Sequence, residues 1–156
     1  MAKKPRVLFL CLENRARSQL AEALLRKHAG DQFEVHSAGF EPSSIHPMVY
    51  EVMGEVGLDL EGQRSKGVDE YFYKVYFGFL ITVCKKAEKR CPTFPGLGER
   101  HYWPVADPVA VGGSEEEKLA AFRRARDEIE QRILDWLESR GGSEESLSPD
   151  KGRGVT

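Results

Sequence analysis

The segment Cys11-Leu-Glu-Asn-Arg-Ala-Arg17-Ser18 holds a thiol, a guanidinium and a hydroxyl at a spacing suited to an oxyanion. Five residues between Cys11 and Arg17 let the backbone curl so that the amides of Leu12, Glu13, Asn14, Arg15 and Ala16 turn inward. The positive end of a following helix would act on the same point. Arg17 offers a planar fork to two anion oxygens, which Lys cannot reproduce, and Ser18 can donate to a thiolate or to the loop. In that field the Cys11 pKa is expected to fall from about 8.5 toward neutrality or below, which makes the thiol a nucleophile. Asn14 can take the positive φ that a tight loop often needs. Glu13 would repel an anion if it turned inward, so it is expected to face out, with Arg15 at the rim. A free Cys is often only a packing residue, and a bare Cys-x5-Arg is common. A strand before this one and a helix after it favour chemistry.

Those flanking elements follow from the pattern of apolar residues. Arg6 to Cys11 is a short apolar run of the kind a buried central strand needs. Ser18 to His28 has helical spacing, with Leu20, Ala23, Leu24 and then Ala29 on one stripe and Gly30 as the stop. Phe33 to Ala38 alternates as a second strand, and Pro47 to Val56 is a helix with Pro47 in its first turn. Phe77 to Val83 is a third, wholly buried strand, and Tyr102 to Val105 a weaker fourth. Glu115 to Arg140 is a long charged helix with Leu119, Phe122, Ile129, Ile133 and Leu134 facing the core. Alternation of strands and helices implies an α/β fold: an open, mainly parallel four-stranded sheet with helices on both faces. Residues 1–140 form one expected domain. The Gly-, Ser- and Glu-rich stretch 141–156 is expected to be a disordered tail.

Ligands of open α/β sheets bind at the carboxyl ends of the strands. Cys84 ends the third strand as Cys11 ends the first, so both thiols belong to one edge. Asp107, in Pro104-Val-Ala-Asp-Pro-Val, follows the fourth strand to that edge, although an Asp before Pro is more often a turn former. His101 fits a packing or hydrogen-bonding role, and His46 the start of a helix. Basic and acidic residues nearly balance, 23 against 25, so neither nucleic acid nor a membrane surface is an expected partner. The apolar run Val7 to Leu12 is too short for a signal segment or a membrane span, so the chain is expected to be soluble and cytoplasmic. Cys11, Cys84 and Cys91 are too few and too odd in number for a disulfide scaffold. With no Cys-x2-Cys pair and scattered histidines, no metal is expected. No cofactor is expected either.

With Ser18-Gln-Leu-Ala-Glu-Ala23 after the loop, the chain resembles the low-molecular-weight phosphatase superfamily and, more narrowly, its thioredoxin-coupled arsenate reductases. His36-Ser-Ala-Gly39, His46-Pro47, Gly57-Leu-Asp-Leu60, Ile81-Thr-Val-Cys84, Cys91-Pro92 and Trp103 to Pro108 occur in that family's order, over about residues 5 to 139. The resemblance implies that Cys11 attacks arsenate while Arg17 and the amides of Leu12 to Ala16 bind it. It implies that Ser18 assists the thiolate, Asp107 is the general acid, and Cys84 and Cys91 are a redox pair regenerated by thioredoxin. Some relatives hold a potassium ion near the loop asparagine. Here Asn14 and Glu22 are in place, but Arg64 and Lys66 stand where oxygen ligands would be needed. The stretch Lys85 to Arg90 carries five charges, which bears on the thiol donor that docks there. The alternative function is a low-molecular-weight phosphatase acting on phosphotyrosine or small phosphate monoesters. Such enzymes usually place an aromatic beside the Asp-Pro, where this chain has Val109 and Ala110. A non-catalytic anion sensor on the same scaffold would not need Cys11, Arg17 and Asp107 together.

Overall fold

The computed structural model describes residues 3–92 and 97–146. Four strands, β1 (Arg6–Cys11), β2 (Glu34–Gly39), β3 (Phe79–Thr82) and β4 (Glu99–Tyr102), form one sheet in the order β2-β1-β3-β4. All three pairings are parallel. The helices are α1 (Arg17–Ala29), α2 (Pro47–Gly54), α3 (Lys85–Arg90) and α4 (Glu115–Ser146). Val7 to Cys11 and all of β3 are buried, as strands covered on both faces must be. Alternation sends Ser37 toward Glu22 on α1, while His36 on the other face meets Tyr71 and Phe77. The α/β sheet expected from the sequence is the observed one.

Several boundaries differ. The fourth strand begins at Glu99 and ends at Tyr102, where Tyr102 to Val105 was expected. Its residues Glu99, Arg100, His101 and Tyr102 carry no apolar run, because it is an edge strand whose position is set by pairing with Phe79 to Thr82. Helix α3 joins Cys84 to Cys91. Helix α4 starts in a capping box, in which the Ser114 hydroxyl accepts from Glu117 N–H and the Glu117 carboxylate from Ser114 N–H. It continues past Arg140 to Ser146, so Gly141 and Gly142 lie inside a helix and not in the expected tail. Extending an existing helix gains a hydrogen bond per residue, against about 1 kcal/mol lost at each glycine. The remainder of that tail, 147–156, lies outside the described residues. Phe33, Phe79, Trp103 and Trp136 pack in one aromatic cluster under α4, with the two indoles 6.1 Å apart. No helix among the described residues is long and apolar enough to cross a membrane.

The turn after β1 passes directly over the end of β2. A Cβ on Gly39 would lie 2.7 Å from both Asn14 N and Leu12 O, inside backbone that cannot swing aside. Gly39→Ala is therefore expected to push the loop outward. The expected outcome is a loss of stability of about 1–3 kcal/mol in a denaturant melt, the usual cost of overpacking. Phosphate or sulfate affinity, measured by calorimetry, should fall with it, and a variant binding either anion normally would refute the close approach.

Candidate active site

Cys11 closes β1, and the chain turns around its sulfur before α1 begins at Arg17. Asn14 supplies the turn with a left-handed backbone (φ 53°). That conformation brings its N–H to 3.2 Å from Cys11 Sγ, and Ser18 Oγ lies 2.9 Å from the same sulfur. The N–H groups of Arg15, Ala16 and Arg17 make no hydrogen bond with another described residue. They are left for a ligand at a helix N-terminus. The Glu13 carboxylate accepts from Ser43 Oγ and is 4.0 Å from the Arg15 guanidinium, and both residues line the cleft, so Glu13 does not turn wholly outward.

A second layer fixes that loop. The Asn14 amide nitrogen donates to Ser18 Oγ (2.7 Å) and Ser37 Oγ (2.9 Å), while its oxygen accepts from Gln19 Nε2 (3.0 Å) and Lys66 N–H (2.8 Å). Ser37 Oγ in turn donates to Glu22 (2.6 Å). Asn14, Ser18, Gln19 and Ser37 are wholly buried, where each unmade hydrogen bond would cost about 1–3 kcal/mol. The Lys66 ammonium lies 3.6 Å from Glu22 and donates to Arg64 O at 2.9 Å, with the pair buried. Burial pushes the Lys66 pKa down and Glu22 pulls it back. The segment therefore does not fit a potassium ion, because a tethered cation already stands against the buried carboxylate. Gln19, Ser37 and Gly39 carry no chemistry of their own that would mark them in the sequence. Short polar residues within two apolar elements were the available signal.

Arg17 reaches over the loop and is held by Val105 O at 2.7 Å, with its other nitrogen 3.6 Å from Asp107. The second Asp107 oxygen caps the following turn by accepting from Val109 N–H, so Asp107 both forms the turn and faces the site. Cys11, Leu12, Glu13, Arg15, Ala16, Arg17, Cys84, Lys85, Lys86, Asp107 and Val109 line one cleft of about 330 Å³. The cleft thus brings together the loop after Cys11, the Cys84 thiol and the Asp107 carboxyl at the carboxyl edge of the sheet. Burial pushes the Cys11 thiol up, reinforced by Cys84, against Ser18 and Arg17. The depressed pKa expected from the sequence is corrected: desolvation outweighs the pull of Ser18 and Arg17.

A family model for low-molecular-weight phosphotyrosine protein phosphatases matches residues 6–147. The chain belongs to this family. A protein named arsenate reductase from Bacillus licheniformis is 39% identical over 140 residues, covering 89% of this chain and 99% of its own. Among solved structures, an arsenate reductase in a phosphate-binding state superposes with a TM-score of 0.68 at 26% identity, covering 85% of this chain and 96% of the other. A thioredoxin-dependent arsenate reductase from Corynebacterium glutamicum gives a TM-score of 0.69 at 31% identity, covering 88% of this chain and 62% of that one.

In this phosphatase-family chain, Cys91 stands apart from the residues that line the cleft. It is buried at the far end of α3, its thiol 3.6 Å from Pro92 O, and burial pushes its pKa up. Cys84 begins α3, where its sulfur accepts from Ala87 N–H at 3.4 Å. His46 does open α2, accepting from Met48 N–H, and its ring stacks on Phe122. His101 pairs with Glu99 and packs near Trp136. No group of three or more His, Cys, Asp or Glu residues suited to a metal occurs among the described residues.

Burial pushes the Cys11 thiol above its ordinary range, against the pull of Ser18 and Arg17. Its alkylation by iodoacetamide should therefore be slow at pH 7, climb only in alkaline buffer, and slow further with bound phosphate or sulfate. A fast rate already level at pH 6 would mean that the loop amides outweigh burial. The melting temperature should not differ between potassium and sodium salts at equal ionic strength. A selective rise in potassium would show that Lys66 leaves room for the ion.

Proposed function

We propose that this chain reduces arsenate to arsenite by a thiol relay from Cys11 to Cys84 to Cys91, regenerated by a thioredoxin. The observation that carries the proposal is the second thiol, Cys84, lining the same cleft as the nucleophile Cys11. Family members named arsenate reductase, and a thioredoxin-dependent one, support the substrate and the reductant.

Arsenate enters the loop as an anion gripped by Arg17 and the free amides. A thiol with a dianion is equivalent in protons to a thiolate with a monoanion, so the Cys11 proton passes to the incoming oxyanion. The thiolate, stabilised by Ser18 and Asn14 N–H, attacks arsenic, and Asp107 protonates the departing oxygen as water. Cys84 then attacks Cys11 Sγ. The electron pair of the sulfur–arsenic bond stays on arsenic, arsenite leaves, and a Cys11–Cys84 disulfide remains. Cys91 attacks Cys84 and frees Cys11, and a dithiol partner takes over the Cys84–Cys91 disulfide. Seven residues of helix separate Cys84 from Cys91 by about 10 Å, while a disulfide needs Cα atoms within roughly 7 Å. Helix α3 must therefore unwind during the last exchange.

Phosphotyrosine hydrolysis is the weaker reading, because no described residue lining the cleft is aromatic to sandwich a phenol ring. The two activities separate in one comparison: arsenate-dependent NADPH oxidation through a thioredoxin system, beside hydrolysis of a phosphotyrosine analogue. Within the relay, Cys91→Ser should release about one arsenite per chain and then stall as a Cys11–Cys84 disulfide, seen by peptide mapping. Cys84→Ser should release none above background. Normal cycling of both variants would defeat the relay, and brisk ester hydrolysis indifferent to both cysteines would put the phosphatase first.

A further inference from the structure

Helix α3 is poorly supported by its own residues. It spans only Lys85–Arg90, far below the length at which a helix is stable alone. Lys85 and Lys89, and likewise Lys86 and Arg90, are like charges four residues apart, which repel. The side-chain ammonium groups of Lys85, Lys86 and Lys89 make no hydrogen bond or ion pair with any described residue, and Ala87 is the helix's one buried side chain among its six. Arg90 pairs with Glu41 and lies over the Phe40 ring, but that pair is half exposed and contributes little.

The remaining support comes from the sheet. Arg100, on the edge strand β4, donates from one nitrogen to Glu88 O (3.0 Å) and from the other to Cys91 O (3.2 Å). These are carbonyls at the helix's C-terminal end, which lack intrahelical donors. The same guanidinium lies 3.5 Å from the Glu88 carboxylate, which also accepts from Thr82 Oγ at the end of β3. One planar fork thus binds the last turn, the inward-facing carboxylate and the backbone of Cys91.

We infer that Arg100 is a positioning residue for the resolving thiol, holding α3 wound through Glu88 and the Cys91 carbonyl and thereby setting how readily Cys84 and Cys91 join. The inference rests on the relay reading for its chemistry. Oxidation requires α3 to unwind, so the Arg100 contacts exist in the dithiol form and are lost in the disulfide. Interactions confined to one side of an equilibrium favour that side, so the clasp opposes premature oxidation.

The test uses the full chain with Cys11→Ser, so that only Cys84 and Cys91 remain. In glutathione buffers, one glutathione disulfide takes two electrons and two protons from the thiols, leaving two glutathiones and one protein disulfide. Arg100→Gln should move this equilibrium at least tenfold toward the disulfide, equivalent to about 30 mV. Amide exchange of residues 85–91 in the reduced protein should accelerate about tenfold, with remote segments unchanged. Arg100→Lys should behave as Arg100→Gln does, because one ammonium cannot span both carbonyls. An unchanged equilibrium, or loosening spread evenly over the chain, would overturn the inference. If Arg100→Gln does not fold, Glu88→Gln should give a smaller shift of the same sign, and no shift would overturn it. A parent chain that forms no Cys84–Cys91 disulfide at any glutathione ratio would sink the relay itself, while the exchange measurement would still judge the clasp.

Discussion

Asn14 is the residue on which the anion loop depends. Its left-handed backbone turns the chain around the sulfur, and its buried amide group uses both ends, donating to Ser18 and Ser37 and accepting from Gln19 and Lys66. A residue other than Gly or Asn would meet steric cost in that conformation, and Gly would lose the four side-chain bonds. The loop is therefore closed before any ligand arrives, at a place where the neighbouring strand has no side chain to obstruct it. Preorganisation of this kind removes the ordering cost from anion binding.

Convergence at the sheet edge then follows from strand order. With β1 between β2 and β3, the carboxyl ends of β1 and β3 are adjacent, and each delivers a thiol to the same cleft. The nearness that makes the relay geometrically reasonable carries an electrostatic cost. Two thiolates cannot be accommodated side by side in a dry site, and Cys84 accordingly raises the Cys11 pKa. Arg17 lines the cleft beside both thiols, together with Arg15. Arg17 is itself fixed by a backbone carbonyl, so its geometry does not depend on Asp107 alone.

The parallel sheet was legible because β1 and β3 are short continuous apolar runs separated by periodic helices. The strand–loop–helix at Cys11 was legible because its residue types, spacing and flanking elements agree. Strand β4 was displaced because Glu99 to Tyr102 shows no hydrophobic pattern, and its place is dictated by a partner distant in sequence. The Cys11 pKa went the other way from expectation because burial is a tertiary property, invisible in a motif that displays only the attracting groups. The polar layer of Gln19, Ser37 and Lys66 was legible as composition but not as a network, since its members lie on three separate segments.

The aromatic cluster gives the protein a built-in optical handle. Both tryptophans of the chain, Trp103 and Trp136, sit together in it, and Trp103 directly follows the strand that carries Arg100. The ultraviolet emission of the whole molecule therefore originates in one nearly dry region beside β4, and two indoles at this separation exchange excitation. Thr82, which donates to Glu88 of α3, also accepts from Trp103 N–H through its carbonyl, so an unwinding of α3 would reach that region through β3 as well as β4 and would be open to observation in real time without an attached dye.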